Sequence, residues 1–138
     1  MKIAREMVRS TSMGIDAIDR LLPYTENEAL TNVMREQKED MAQMLTEAKR
    51  GLSGDEIAQA EGGKLSKTVL KASAMMSAMM NNDPSNLARK LIEGYETGIV
   101  SLQKCINEMQ KEHDEVPVLA KDLVKCYDKN IRALRKFL

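Results

Sequence analysis

Apolar residues recur every three or four positions along most of this chain, and nowhere do they alternate in the two-residue rhythm of a strand. From about residue 2 to 22, Ile3, Met7, Thr11, Gly14, Ile18 and Leu21 make one stripe on a helix that stops at Leu22-Pro23. Thr25 followed by Glu28 has the spacing of a capping box, in which a hydroxyl and a carboxylate satisfy free backbone N–H groups reciprocally. A second helix is expected over about 26–50, with Leu30, Met34, Gln37, Met41, Met44 and Ala48 inward and Gly51 past its end. Four glycines between 51 and 63 predict a mobile connection holding one short turn at Ser53 to Gln59. Helical spacing returns over 64–82 through Leu65, Val69, Ala72, Met75, Met76, Met79 and Met80. Asp83-Pro84 places a capping side chain before a proline whose missing N–H is no loss at a first helical position. The helix it opens, 84–113, carries the stripe Leu87, Leu91, Gly94, Gly98, Leu102, Cys105 and Met109. After a turn at Asp114 to Pro117, a last helix over 117–137 turns Ala120, Leu123, Tyr127, Asn130, Leu134 and Phe137 inward.

Turns of two or three residues join the first two and the last two long helices, and such links leave antiparallel neighbours. The expected fold is all-α: an antiparallel four-helix bundle of two hairpins, joined by a helical crossover that contains the 64–82 segment. Pro23, Pro84 and Pro117 fall between these segments and never inside one. Glycine-rich nucleotide loops are absent, so an α/β fold is not expected.

Composition limits what such a fold can do. The 138 residues suit one domain, 1–138, with one continuous core. Apolar residues at 43% and charged residues at 30% exclude a disordered chain. Charges interrupt every apolar stretch before it could span a membrane, and MKIAREMVRS lacks the apolar centre of a signal peptide. The 21 basic and 21 acidic residues cancel, leaving no net field to attract nucleic acid or an anionic membrane, although a local patch remains open. Two cysteines, Cys105 and Cys126, fit a reducing compartment, and a cytoplasmic location is expected.

The order of local features, TENEALTNVMREQKEDMAQML, then GGKLSKTVLKASAMMSAMMNND, then LARKLIEGYETGIVSLQKCI, resembles a family of small bacterial ferritin-like domains of uncharacterised function. The resemblance spans nearly the whole chain and implies a ferritin-like bundle with a glycine-led crossover. Di-iron members of that architecture take a Glu from each of two helices and a Glu-x-x-His from each of the other two. This chain lacks that set: Glu36 and Glu39 have no histidine, the last helix has no Glu-x-x-His, and the one histidine, His113, sits by a turn. No metal site and no cofactor are therefore expected.

Other residues invite chemistry and also a structural reading. Thr11, Gln37, Tyr127 and Asn130 point inward near mid-bundle. They either hydrogen-bond one another and fix the pairing of the helices, or line a small-ligand or degenerate metal site; the first is favoured. Glu36 with Glu39, and Glu93 with Glu96, come nearest to metal spacing, against the usual exposure of Glu on a solvated face. Gly94 and Gly98 allow a neighbouring helix to approach closely. Met75, Met76, Met79 and Met80 suit core filling, an adaptable interface with another protein, or Cu(I). Cys105 and Cys126 are expected at one level of the last two helices, as reduced thiols. No nucleophile is paired with a base, so enzymatic activity is not expected. The reading is a non-catalytic helical module acting through a protein partner or as a homodimer. The alternative is a ferritin-like protein with weak metal or small-ligand binding in its core.

Overall fold

The computed structural model describes residues 2–62 and 83–138, and among these residues it is all-helical, with no strand. The order is α1 (Lys2–Leu21), a 3-10 turn (Leu22–Tyr24), α2 (Glu28–Lys49), α3 (Gly54–Gly62), α4 (Pro84–Lys111) and α5 (Val118–Arg135). The helix expected over 64–82, with Met75, Met76, Met79 and Met80, lies outside the described residues.

Each long helix has a local reason to begin and end. Asn27, not Thr25, caps α2: its side chain accepts from the Leu30 N–H at 2.9 Å, while Thr25 turns its hydroxyl to the Asn27 carbonyl at 3.4 Å. The 3-10 turn around Pro23 ends at Tyr24 and Thr25 follows in extended conformation, so the link runs from 22 to 27 and is longer than expected. A capping box does form one element later, where Ser53 Oγ accepts from the Glu56 N–H at 3.2 Å and Glu56 Oε1 accepts from the Ser53 N–H at 3.3 Å. It starts α3, a full short helix where a mobile connection with one turn was expected. Asp83 caps α4 as predicted, accepting from the Ser85 N–H at 3.0 Å.

At its other end α4 closes through a left-handed residue, His113 (φ 59°). The His113 N–H reaches the Gln110 carbonyl at 3.1 Å and the Asp114 N–H the Met109 carbonyl at 2.8 Å, the double bond pattern that usually recruits glycine.

The helices pack in pairs. α1 lies against α2, α4 and α3; α5 lies against α4 and α2. Lys2 meets Glu108 at 2.9 Å and Arg9 meets Ser101 at 3.3 Å, so residue numbers rise along α1 as they fall along α4, and those two helices are antiparallel. Between α1 and α2, Gly14 leaves room for Met41, whose sulfur would stand 2.7 Å from a Cβ there. Lys38 pairs with Asp19 at 2.6 Å across the same helices, and Lys49 with Glu61 at 2.8 Å holds α3 to the end of α2. The core runs the length of the molecule through Ile3, Val8, Ile18, Leu30, Met34 and Met41 on one side and Leu87, Leu102, Leu123 and Leu134 on the other.

Candidate functional site

Halfway along the molecule the core turns polar. Ser10, Thr11, Gln37 and Asn130 are buried there together with the phenols of Tyr95 and Tyr127. Burying a hydroxyl or an amide costs free energy unless it finds a partner, so where these groups bond decides whether the layer is a structural device or an open site.

Two sets of bonds cross the core. In the first, Tyr95 of α4 donates its hydroxyl to Gln37 Oε1 of α2 at 2.8 Å, and Gln37 Nε2 donates to the Asn130 carbonyl of α5 at 3.2 Å. One amide therefore ties three helices. In the second, the hydroxyls of Ser10 (α1) and Tyr127 (α5) share a bond of 2.8 Å. The two tyrosine rings touch with centroids 5.1 Å apart, tilted by 44°, and so join the sets into one layer. Tyr127 reaches Ser10 past Gly98, where an added Cβ would stand 2.8 Å from the ring and 3.0 Å from Ser10 Oγ. Burial raises both phenols above their ordinary range, for Tyr127 by more than its Ser10 hydrogen bond offsets, so both stay neutral.

The predicted residues fall differently around this layer. Gln37, Tyr127 and Asn130 belong to it. Thr11 is buried beside it but bonds its own helix, to the Met7 carbonyl at 2.7 Å and the Val8 carbonyl at 3.2 Å, and does not meet Gln37; a Thr hydroxyl reaches the preceding turn without help. Asn130 contributes its backbone carbonyl to Gln37, while its side-chain amide faces Cys126 Sγ at 3.8 Å. Tyr95 and Ser10 were missed. The sequence stripe stepped from Leu91 to Gly94, whereas the helix turns Tyr95 inward and leaves Gly94 exposed, with nothing within 4 Å of a Cβ. The larger side chain was the available signal, since an aromatic ring buries far more apolar area than a glycine.

Glu36, Glu39, Glu93 and Glu96 all stand on exposed faces, away from the polar layer, and Glu93 is held by Arg89 at 2.9 Å. Among the described residues, no three His, Cys, Asp or Glu side chains group as metal ligands would. Cys105 and Cys126 are free thiols in different surroundings. Cys105 is buried close to Lys2, Glu6, Arg9 and Glu108, and Cys126 is half-buried beside Asp40 and Lys129. Burial raises both thiols, which disfavours the nucleophilic thiolate. Arg9 and Glu6 are a partly buried pair on α1; Arg9 also bonds Ser101 on α4, and the Glu6 bond raises the guanidinium further.

Comparison with protein-family models, with curated proteins and with solved structures found no match. Among the described residues no helix is long and apolar enough to cross a membrane.

Proposed function

We propose that the chain is a non-catalytic helical module acting through contacts with another protein surface, on an antiparallel four-helix bundle of ferritin-like plan. The bundle is the reading that best accounts for α1, α2, α5 and α4 touching in a ring, each against its antiparallel neighbour. The observation that carries the functional reading is the closed polar layer. Ser10, Gln37, Tyr95 and Tyr127 spend their hydrogen bonds on one another and on the Asn130 carbonyl. A ligand at mid-bundle would have to displace bonds already made in a dry environment, at a cost of about 1–3 kcal/mol for each group left unpaired. The carboxylates stand outside, where they neither neutralise a metal nor lend a proton to a bound substrate.

The reducing character of the two free thiols supports a cytoplasmic setting. Native mass spectrometry with metal analysis on untreated protein tests the reading. A metal-free protein with a mass above that of one chain is expected. Iron, manganese or copper held at one or two equivalents through dialysis would overturn it, in favour of a ferritin-like protein that retains a metal.

A further inference from the structure

The charge of the whole chain is balanced, but its two signs are not mixed. On α5 and its C-cap, Lys121, Lys125, Lys129, Arg132 and the capping Lys136 follow one another in steps of four, four, three and four. At 3.6 residues per turn this spacing confines them to less than a quarter of the helix circumference, directly opposite the buried Leu123, Tyr127 and Leu134. All five are exposed. On the neighbouring α2 the outward stripe is acidic: Glu28, Glu36, Glu39 and Glu47, also exposed, opposite the buried Met34, Gln37 and Met41. Each stripe is bordered or interrupted by two exposed charges of the other sign, Arg35 and the C-cap Arg50 on α2, and Asp122 and Asp128 on α5. None of the nine side chains that make the stripes is in an ion pair within the chain among the described residues.

The stripes also agree in height. The bond from Gln37 to the Asn130 carbonyl marks one level of the antiparallel pair α2 and α5. One residue before Gln37 is Glu36 and two after Asn130 is Arg132; two after Gln37 is Glu39 and one before Asn130 is Lys129; ten after Gln37 is Glu47 and nine before Asn130 is Lys121. Three of the four acids thus stand level with a base to within one residue, about 1.5 Å along a helix, and Glu28 has no base at its level. Within one molecule these partners stand on neighbouring helices, each turned away from the core. A two-fold axis parallel to the helices keeps every level, reverses left and right, and sets α2 of one copy over α5 of another.

We infer that the α2–α5 face is a self-complementary docking surface on which a second copy of this chain binds, each copy's acidic stripe against the other's basic stripe. The inference rests on the contact-module reading and names the partner. A nucleic acid or an acidic membrane suits the basic stripe alone but meets the acidic stripe about one helix diameter, roughly 10 Å, away. A second copy satisfies both. A face two helices wide and as long as α5 buries on the order of 1,000 Å² in total, the lower limit of specific interfaces, and its charged rows make it weak and sensitive to salt.

The test is sedimentation velocity on three proteins: the wild type, the triple variant Lys121→Glu/Lys129→Glu/Arg132→Glu, and the triple variant Glu36→Lys/Glu39→Lys/Glu47→Lys. The wild type is expected to dimerise at about 50 mM salt and to lose at least ~10-fold in affinity at about 500 mM. Each variant carries two stripes in which one sign predominates and stays monomeric alone, with an unchanged helical circular-dichroism spectrum. Mixed, the two variants form a one-to-one heterodimer, which neither a misfolded variant nor an interface elsewhere can produce. A wild type that is monomeric at low salt overturns the inference, as does binding of a DNA duplex by monomeric wild type. A wild-type dimer that both triple variants keep overturns this face as the interface and leaves the contact-module reading standing.

Discussion

The middle of the core and the outer faces of α2 and α5 are both polar, and they use polarity in opposite ways. Inside, each group has one specified partner: Tyr95 has Gln37, Gln37 has the Asn130 carbonyl, and Tyr127 has Ser10. Outside, two rows of charge stand level with each other and have no ion-pair partner among the described residues of their own chain. Inner groups were taken from water, so each missing bond is a loss of stability. Outer groups remain hydrated, so losing one changes the fold little and changes what the surface attracts. The polarity inside therefore ties particular helices to one another, and the polarity outside leaves the fold alone and acts on what the surface attracts.

High pH should break the inner layer most. Both phenols are raised by burial, so the folded state keeps protons that the unfolded chain releases near pH 10. Their contribution is complete below the unfolded value and is lost as pH rises above it. These two groups should lower the free energy of unfolding by about 2.7 kcal/mol per pH unit above pH 10, on top of what the two raised thiols contribute. Urea melts at stepped pH measure the slope. Tyr95→Phe and Tyr127→Phe together should flatten it by two protons, and an unchanged slope would show that the phenols are not buried. Replacing one partner of the inner layer comes next. Gln37→Leu leaves the Tyr95 hydroxyl without its acceptor and should cost about 1–3 kcal/mol. Adding Tyr95→Phe removes the orphan and should recover most of that loss, a coupling that a double-mutant cycle reads directly.

Much of this comparison was legible in the residues alone, and the parts that were not have physical causes. Periodicity carried the helices because burying one side of a helix needs an apolar residue every three or four positions, as Ile3, Met7, Ile18 and Leu21 show. It located Gln37 and Asn130 because a polar residue in an apolar stripe is conspicuous. It failed at Tyr95 since a step of three and a step of four from Leu91 are both helical, and the choice between Gly94 and Tyr95 is made by the neighbouring helices. It misplaced the start of α2 because Thr25, Asn27 and Glu28 all carry capping groups, and the 3-10 turn after Pro23 selects among them. Hydrogen-bond partners were the least accessible, as Thr11 shows: its burial is a matter of face, and its bond to the Met7 carbonyl is a matter of rotamer. The charge rows were overlooked since net charge was summed over the chain, and a sum of zero hides two segregated stripes.

Gly94 and Gly98 give a smaller and sharper contrast, one turn apart on α4. Alanine gains roughly 1 kcal/mol over glycine inside a helix whatever surrounds it. At Gly94 nothing stands within 4 Å of the new Cβ, so Gly94→Ala should stabilise by about that amount. At Gly98 the Cβ would meet the Tyr127 ring at 2.8 Å, and the ring cannot retreat without giving up Ser10. Overpacking of this kind costs about 1–3 kcal/mol, so Gly98→Ala should lower stability by around 1 kcal/mol despite the better helix former. The propensity gain is common to both variants, so the difference between their melts isolates the packing cost at Tyr127. Equal stabilisation at the two sites would mean that the ring does not pass over Gly98.

The smallest effect on stability belongs to the outer rows, and its smallness is the point. Lys125 is exposed, carries no ion pair among the described residues and stands level with the neutral Gln43 in the two-fold arrangement. Lys125→Gln should change the unfolding free energy by less than about 0.5 kcal/mol, as for surface positions without specific partners. It should weaken association far less than Lys129→Gln, which faces Glu39. Both variants remove one positive charge, so long-range attraction alone would weaken association equally. A larger effect at Lys129, at matched salt, therefore reports the register between the stripes, and equal effects would reduce the face to a diffuse field without a defined pairing.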